Sequence, residues 1–161
     1  MSPCIVQVPA FSVAGITVRT CNRDEAAPGR ARIGALWDQF FSESWARRLP
    51  GPGADGRLYG VYSAYESGEH GAFDVTAGVS AAVQADPPVG AACVQVEGGG
   101  YLVFRREGPM PQMVIDAWGD VWRYFAANSG VRRRFGTDFE LYEGPERVAL
   151  HIGVLEPAPF L

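Results

Sequence analysis

The sequence is short of the features that mark several large classes of protein. Cysteine is scarce: Cys4, Cys21 and Cys93 are odd in number, far apart, and in no Cys-x-x-Cys pair. That speaks against a zinc site or a dithiol redox motif, and for a reducing, cytoplasmic setting. No apolar run is long enough to span a bilayer, and Met1-Ser2-Pro3-Cys4 lacks the basic stretch and apolar core of a signal peptide. No membrane partner is expected. Positive charge is outnumbered, with 14 Lys and Arg against 18 Asp and Glu and a net charge of -4. A nucleic-acid partner would need a basic footprint, so a neutral or cationic ligand is easier to accommodate. Catalytic signatures are missing as well. Gly98-Gly99-Gly100 lacks the Gly-Lys-Ser/Thr ending of a phosphate loop. No serine or cysteine nucleophile accompanies His151, and there is no triad, paired carboxylate set or metal-ligand cluster. Neither cofactor nor metal is expected.

What remains is an ordinary globular composition, 47% hydrophobic and 20% charged over 161 residues. That length can bury a core in a single domain without staples. Residues 5–19 are rich in Val, Ile and Phe and predict a strand bent near Gly15. A polar loop runs from Cys21 to Pro28-Gly29. Ile33, Leu36, Trp37, Phe40, Phe41 and Ser44-Trp45 then recur at helical spacing, so a helix is expected over roughly residues 30–49. Pro50-Gly51-Pro52-Gly53 stops it, and Trp45 closes the core. Alternating residues over 57–65 and 72–82 predict a hairpin, ended by Asp86-Pro87-Pro88. His70, in its turn, should be exposed.

The second half repeats the plan. A strand or bent strand pair over 91–106 is interrupted by the triple glycine. Gly108-Pro109 leads into a helix with Pro111 in its first turn. Its apolar stripe is Val114, Ala117, Trp118, Val121, Trp122 and Phe125, and Asn128-Ser129-Gly130 ends it. Arg132-Arg133-Arg134 is read as a solvated basic turn. A last hairpin spans 137–143 and 147–155 around Gly144-Pro145, followed by a poorly ordered tail over 157–161.

Each half thus reads strand, helix, strand, strand. Trp37 corresponds to Trp118, Tyr59-Gly60-Val61-Tyr62 to Phe139-Glu140-Leu141-Tyr142, and the segment 73–79 to 148–154. The expected fold is α+β: tandem β-α-β-β units, about 5–86 and 89–156, sharing one antiparallel sheet system within a single domain. One asymmetry stands out. Where the second half has Glu140, the first has Gly60, so a carboxylate faces an absent side chain across the pseudo-twofold axis.

This arrangement resembles the GyrI-like small-molecule-binding domain, the effector-binding domain of some AraC- and MerR-type multidrug-responsive regulators. The resemblance rests on 8–15, 100–109, Ala117-Trp118, Val121-Trp122, 138–142 and 150–154, and is strongest to the stand-alone, integron-associated members. It implies a ligand cleft between the halves and an acidic residue at Glu140 in an aromatic-lined pocket, often paired with lipophilic cations. Some stand-alone relatives inhibit DNA gyrase, and some hydrolyse strained cyclopropane-bearing toxins. Two departures are notable. Many relatives have proline at the position of Gly153, and no helix-turn-helix precedes Ile5, so direct transcriptional control by this chain alone is not expected.

Glu140 is therefore the expected counter-ion. A buried carboxylate is costly unless paired, and an organic cation with a large apolar body suits it. Tyr142 and Tyr62 share its strand faces with Gly60 and either hydrogen-bond it or pack on ligand. Trp37 and Trp118 lie on core stripes near the symmetry axis and are further pocket candidates, with Phe104 closing one end. His151 is read as structural. The expected function is a stand-alone, non-enzymatic binder of hydrophobic, cationic, drug-like molecules. The alternatives are a hydrolase of strained electrophiles working through Glu140 and the tyrosines, or a protein-interaction module such as a gyrase inhibitor.

Overall fold

The computed structural model describes residues 3–49, 57–82 and 86–155. Eight strands form one antiparallel sheet: β1 (Cys4–Val8), β2 (Phe11–Cys21), β3 (Leu58–Ser63), β4 (Ala72–Ala81), β5 (Ala92–Val96), β6 (Gly99–Glu107), β7 (Arg133–Tyr142) and β8 (Arg147–Val154). Their order is β1-β6-β8-β7-β3-β4-β2-β5. The helical segments are α1 (Asn22–Glu25), α2 (Ile33–Ser42), α3 (Trp45–Arg48) and α4 (Gln112–Ala127). The order is symmetric about the β7–β3 contact, as a tandem duplication requires. None of the described helices is long and apolar enough to cross a membrane.

Two departures concern the strands. The first strand breaks at Pro9-Ala10 rather than bending at Gly15, because proline has no N–H for the ladder. The piece before the break, β1, crosses over to pair with β6 of the second half, and β5 reciprocally pairs with β2 of the first. Each half therefore carries an edge strand lent by the other. Gly15 instead sits in register opposite Gly78, and a Cβ on either would run into the partner strand's backbone carbonyl. The second departure is a slip in the repeat. Gly60 pairs with Ala77 and Glu140 with Leu150, so Ala77 is equivalent to Leu150, not to Ile152 as the sequence alignment has it. A slip of two residues leaves every side chain on its expected face.

The helices cover one face of the sheet. On α2 the buried residues Leu36 and Phe40 are spaced by one turn, and on α4 so are Met113, Ala117 and Val121. Burying each large apolar side chain contributes about 1.5–3 kcal/mol, which is what seats the helices. Glu25, in the segment expected to be loop, accepts the free N–H groups of Arg32 and Ile33 and so caps α2 from outside. The expected long first helix is two pieces. Ser44 takes a left-handed conformation (φ 54°), which turns Trp45 into the core while Phe41 stays 62% exposed. The apolar stripe runs straight across that break, so periodicity gave no sign of it. The expected Pro50–Gly53 stop and the 157–161 tail lie outside the described residues.

The other face of the sheet has its own core of Val13, Tyr59, Val61, Val96, Tyr101 and Phe139, with Val6 and Val8 of β1 packed on it. The arginine run does not form a solvated turn. Arg133 and Arg134 belong to β7, their side chains 8% and 19% exposed, and only Arg132 faces water. Trp122, expected on the inner stripe of α4, is 51% exposed on the outside.

Candidate functional site

The two central strands place the site. β3 and β7 are antiparallel, and Gly60 pairs directly with Glu140. Side chains alternate, so Glu140 and Tyr142 share the helix-covered face with Leu58, Gly60 and Tyr62, while Phe139 and Leu141 fill the opposite core. A Cβ on Gly60 would stand 2.5 Å from Glu140 Oε1 and 3.3 Å from the Trp37 ring. The glycine is thus the space into which the carboxylate leans.

Glu140 is 2% exposed. Tyr62 and the Trp118 indole N–H both donate to its Oε2 at 2.8 Å, and Tyr142 donates to Oε1 at 2.9 Å. All three donors are neutral, and no cation pairs with Glu140 among the described residues. Burial pushes the carboxyl above its ordinary range, and the three hydrogen bonds pull it part of the way back. Burial, then the charge of Glu140, holds the Tyr62 and Tyr142 phenols well above 10, so both remain donors.

Four aromatic rings surround the carboxylate in reciprocal pairs. Trp37 of the first half packs on Tyr142 of the second at 5.4 Å, and Trp118 of the second on Tyr62 of the first at 5.0 Å. The indoles therefore bridge the cores of the two halves. Their N–H groups differ. That of Trp118 is bonded to Glu140, while the buried Nε1 of Trp37 has no acceptor among the described residues.

The structure thus brings together Glu140, Gly60, Tyr62, Tyr142, Trp37 and Trp118. Phe104 stands apart, beneath α4 against Tyr124 and Phe125, with Leu150 between it and Glu140 across the sheet. His151 lies on the other face, stacked on Phe139 at 4.3 Å. Burial first of all lowers it to about 4, so the ring is neutral at physiological pH. His70 is exposed.

A second buried acid escaped sequence reasoning. Asp138, 0% exposed, accepts from Arg133 at 2.7 Å, from Tyr65 at 2.5 Å and from the Gly153 N–H at 2.8 Å. Its position two residues before Glu140, on the same face, was the available signal, because an acid on a covered face requires a partner. Cavities occur elsewhere. One of about 240 Å³ is lined by Arg105, Glu107, Glu143 and Arg147 among others, and one of about 190 Å³ by Glu69, Trp122, Phe125, Ala126 and Arg133. Neither includes Glu140, which is buried behind the four rings. Among the described residues no group of three or more His, Cys, Asp or Glu side chains is placed to hold a metal ion.

The chain is similar to several known proteins. The family Cass2, described as integron-associated effector binding protein, matches residues 4–154. The integron cassette protein VCH_CASS2 of Vibrio cholerae is 36% identical, with a TM-score of 0.78 over 96% of both chains. YobU of Bacillus subtilis (strain 168), named as a candidate transcriptional regulator protein, is 29% identical over 146 residues, which are 88% of this chain and 89% of YobU. SAV2435, solved bound to tetraphenylphosphonium, shares the fold with a TM-score of 0.75 at 17% identity, over 96% of this chain and 94% of its own.

Proposed function

The chain belongs to the integron-associated effector-binding family, and from that premise we propose that it binds hydrophobic organic cations in the cage around Glu140. The observation that carries this reading is a buried carboxylate held by three neutral donors and left without a cation among the described residues. A carboxylate taken out of water needs a counter-charge to be stable as an anion. Among the described residues the protein supplies hydrogen bonds that favour the charged form, but not the charge that balances it. The ring faces of Trp37, Trp118, Tyr62 and Tyr142 suit a cation with an apolar body, each contributing about 0.5–2 kcal/mol of cation–π attraction where it is engaged. Tetraphenylphosphonium on the fold-mate SAV2435 is a ligand of this chemistry and makes a convenient probe.

The test is a titration of the purified chain with tetraphenylphosphonium and with a neutral triaryl analogue, followed by tryptophan fluorescence. Saturable binding of the cation, weak binding of the neutral compound and loss of that preference in Glu140→Gln are expected. A Glu140→Gln protein that kept its fold and its full affinity for the cation would remove Glu140 from the counter-ion role.

A further inference from the structure

Glu140 is buried behind the four rings, so a ligand that reaches its carboxylate has to displace one of them, and the two indoles are not held alike. Trp118 is tied to Glu140 Oε2 and stands on the sixteen-residue α4. That helix is fastened by its buried row and by a two-pronged bond between Arg106 of β6 and Asp120, at 2.7 and 2.9 Å. Trp37 stands on the ten-residue α2, which ends just before the left-handed Ser44. Its buried N–H has no acceptor among the described residues. Phe41, itself 62% exposed, stacks on its ring at 5.9 Å. Beneath the ring lies Gly60, which has no side chain to hold it.

We infer that Trp37, backed by Phe41, is the moving wall that admits ligand to the Glu140 cage, and that Trp118 is the fixed wall that holds the carboxylate in place. The inference rests on the cage being a ligand site. Its physical basis is the unequal cost of keeping each wall shut. A buried donor without an acceptor destabilises the closed position of Trp37, and swinging outward returns that N–H to water. Moving Trp118 instead breaks a bond to a carboxylate, which is among the stronger hydrogen bonds in a protein. The division also separates two kinds of selectivity. The fixed side reads charge, and the retreat of Trp37 sets how large a body fits.

Two measurements on the full chain test this. The first needs no ligand: hydrogen exchange of the indole N–H groups by NMR, assigned with Trp37→Phe and Trp118→Phe. The Trp37 N–H should exchange at least about tenfold faster than that of Trp118, the factor that one hydrogen bond represents. The second is the association rate of tetraphenylphosphonium by stopped flow. Phe41→Ala, at an exposed position, should speed association about threefold or more. Trp37→Phe should slow it by up to about tenfold, because the closed wall no longer carries an unmet donor. Trp118→Phe should act on dissociation instead. Equal exchange of the two N–H groups overturns the inference, as does Trp118→Phe altering association in the manner of Phe41→Ala. A chain that shows the exchange asymmetry but does not bind the phosphonium leaves the moving wall standing and sinks the proposed ligand class. Binding without the asymmetry does the reverse.

Discussion

Strand β7 carries two buried acids on one face, two residues apart, and they are treated in opposite ways. Asp138 has its cation built in: Arg133 reaches it from the start of the same strand, and Tyr65 and the Gly153 N–H complete its shell. Glu140 has as many hydrogen bonds but none from a charged group. Burial alone therefore does not mark a functional carboxylate, since both acids are equally hidden. In the proposed reading the mark is a carboxyl group that takes its hydrogen bonds from neutral dipoles and has no counter-charge among the described residues. Asp138 is complete within the chain and holds β7 to β8 where their register shifts. Glu140 has no charged partner among the described residues, and in the proposed reading that is the place the ligand takes.

The comparison is broken most severely by opening the internal pair. Arg133→Met leaves Asp138 buried without its cation and should lower the free energy of unfolding by about 3–5 kcal/mol, read by chemical denaturation. A loss below about 1 kcal/mol would mean that Asp138 is balanced by something other than Arg133. Glu140→Gln should show the opposite profile. Affinity for tetraphenylphosphonium should fall by about 2–3 kcal/mol, near a hundredfold, while folding stability changes far less than in Arg133→Met. Comparable losses of stability in the two variants would erase the distinction between the acids.

Gly60→Ala is a subtler test, because it fills the notch without touching a charge. The new methyl would press on Glu140 Oε1 and the Trp37 ring. Cation affinity should drop about tenfold, with a stability cost of about 1–3 kcal/mol from overpacking. Titration and denaturation on the same sample check both.

The smallest effect is a pH slope. The folded pKa of Glu140 is raised above the ordinary 4.5, so the folded state keeps a proton that the unfolded chain has released. The stability from that proton is fully present below 4.5 and is lost as pH rises through the folded value. Cation affinity should climb over the same window, as the carboxylate ionises. His151 acts in the other sense. Its imidazole is lowered from 6.5 to about 4, so its contribution is lost as pH falls through that range. The difference between the wild-type chain and Glu140→Gln, measured from pH 4 to 8, isolates the Glu140 slope. A flat difference would show that the carboxylate keeps one protonation state throughout.

Much of this was legible in the residues. Alternation in 58–63 and 138–142 assigned each side chain to its face, since a strand has a period of two whatever it pairs with. The duplication then set Glu140 against Gly60, because repeated strands that meet at a pseudo-twofold axis lie side by side. The aromatic partners were in view for the same reason, although Trp37 and Trp118 looked more like ordinary core. Phe104 and Trp122 show the limit. Helical spacing or a place near the helix says which residues are apolar, not which element covers them.

The sequence by itself determined the duplicated α+β frame, the faces of the central strands and the carboxylate that the repeat sets against a glycine. These depend on local periodicity and on similarity between segments, and both are written along the chain. Only the tertiary structure decided that β1 and β5 are exchanged between halves, that Arg133 turns inward to neutralise Asp138, and that no cation reaches Glu140 among the described residues. Those outcomes turn on which distant groups arrive within about 3 Å of one another, and a charge run or a strand end carries no record of that. The reason that Glu140 stands out is the same. Its hydrogen-bond partners, Tyr62, Trp118 and Tyr142, come from three separate elements, and only folding shows that all three are neutral.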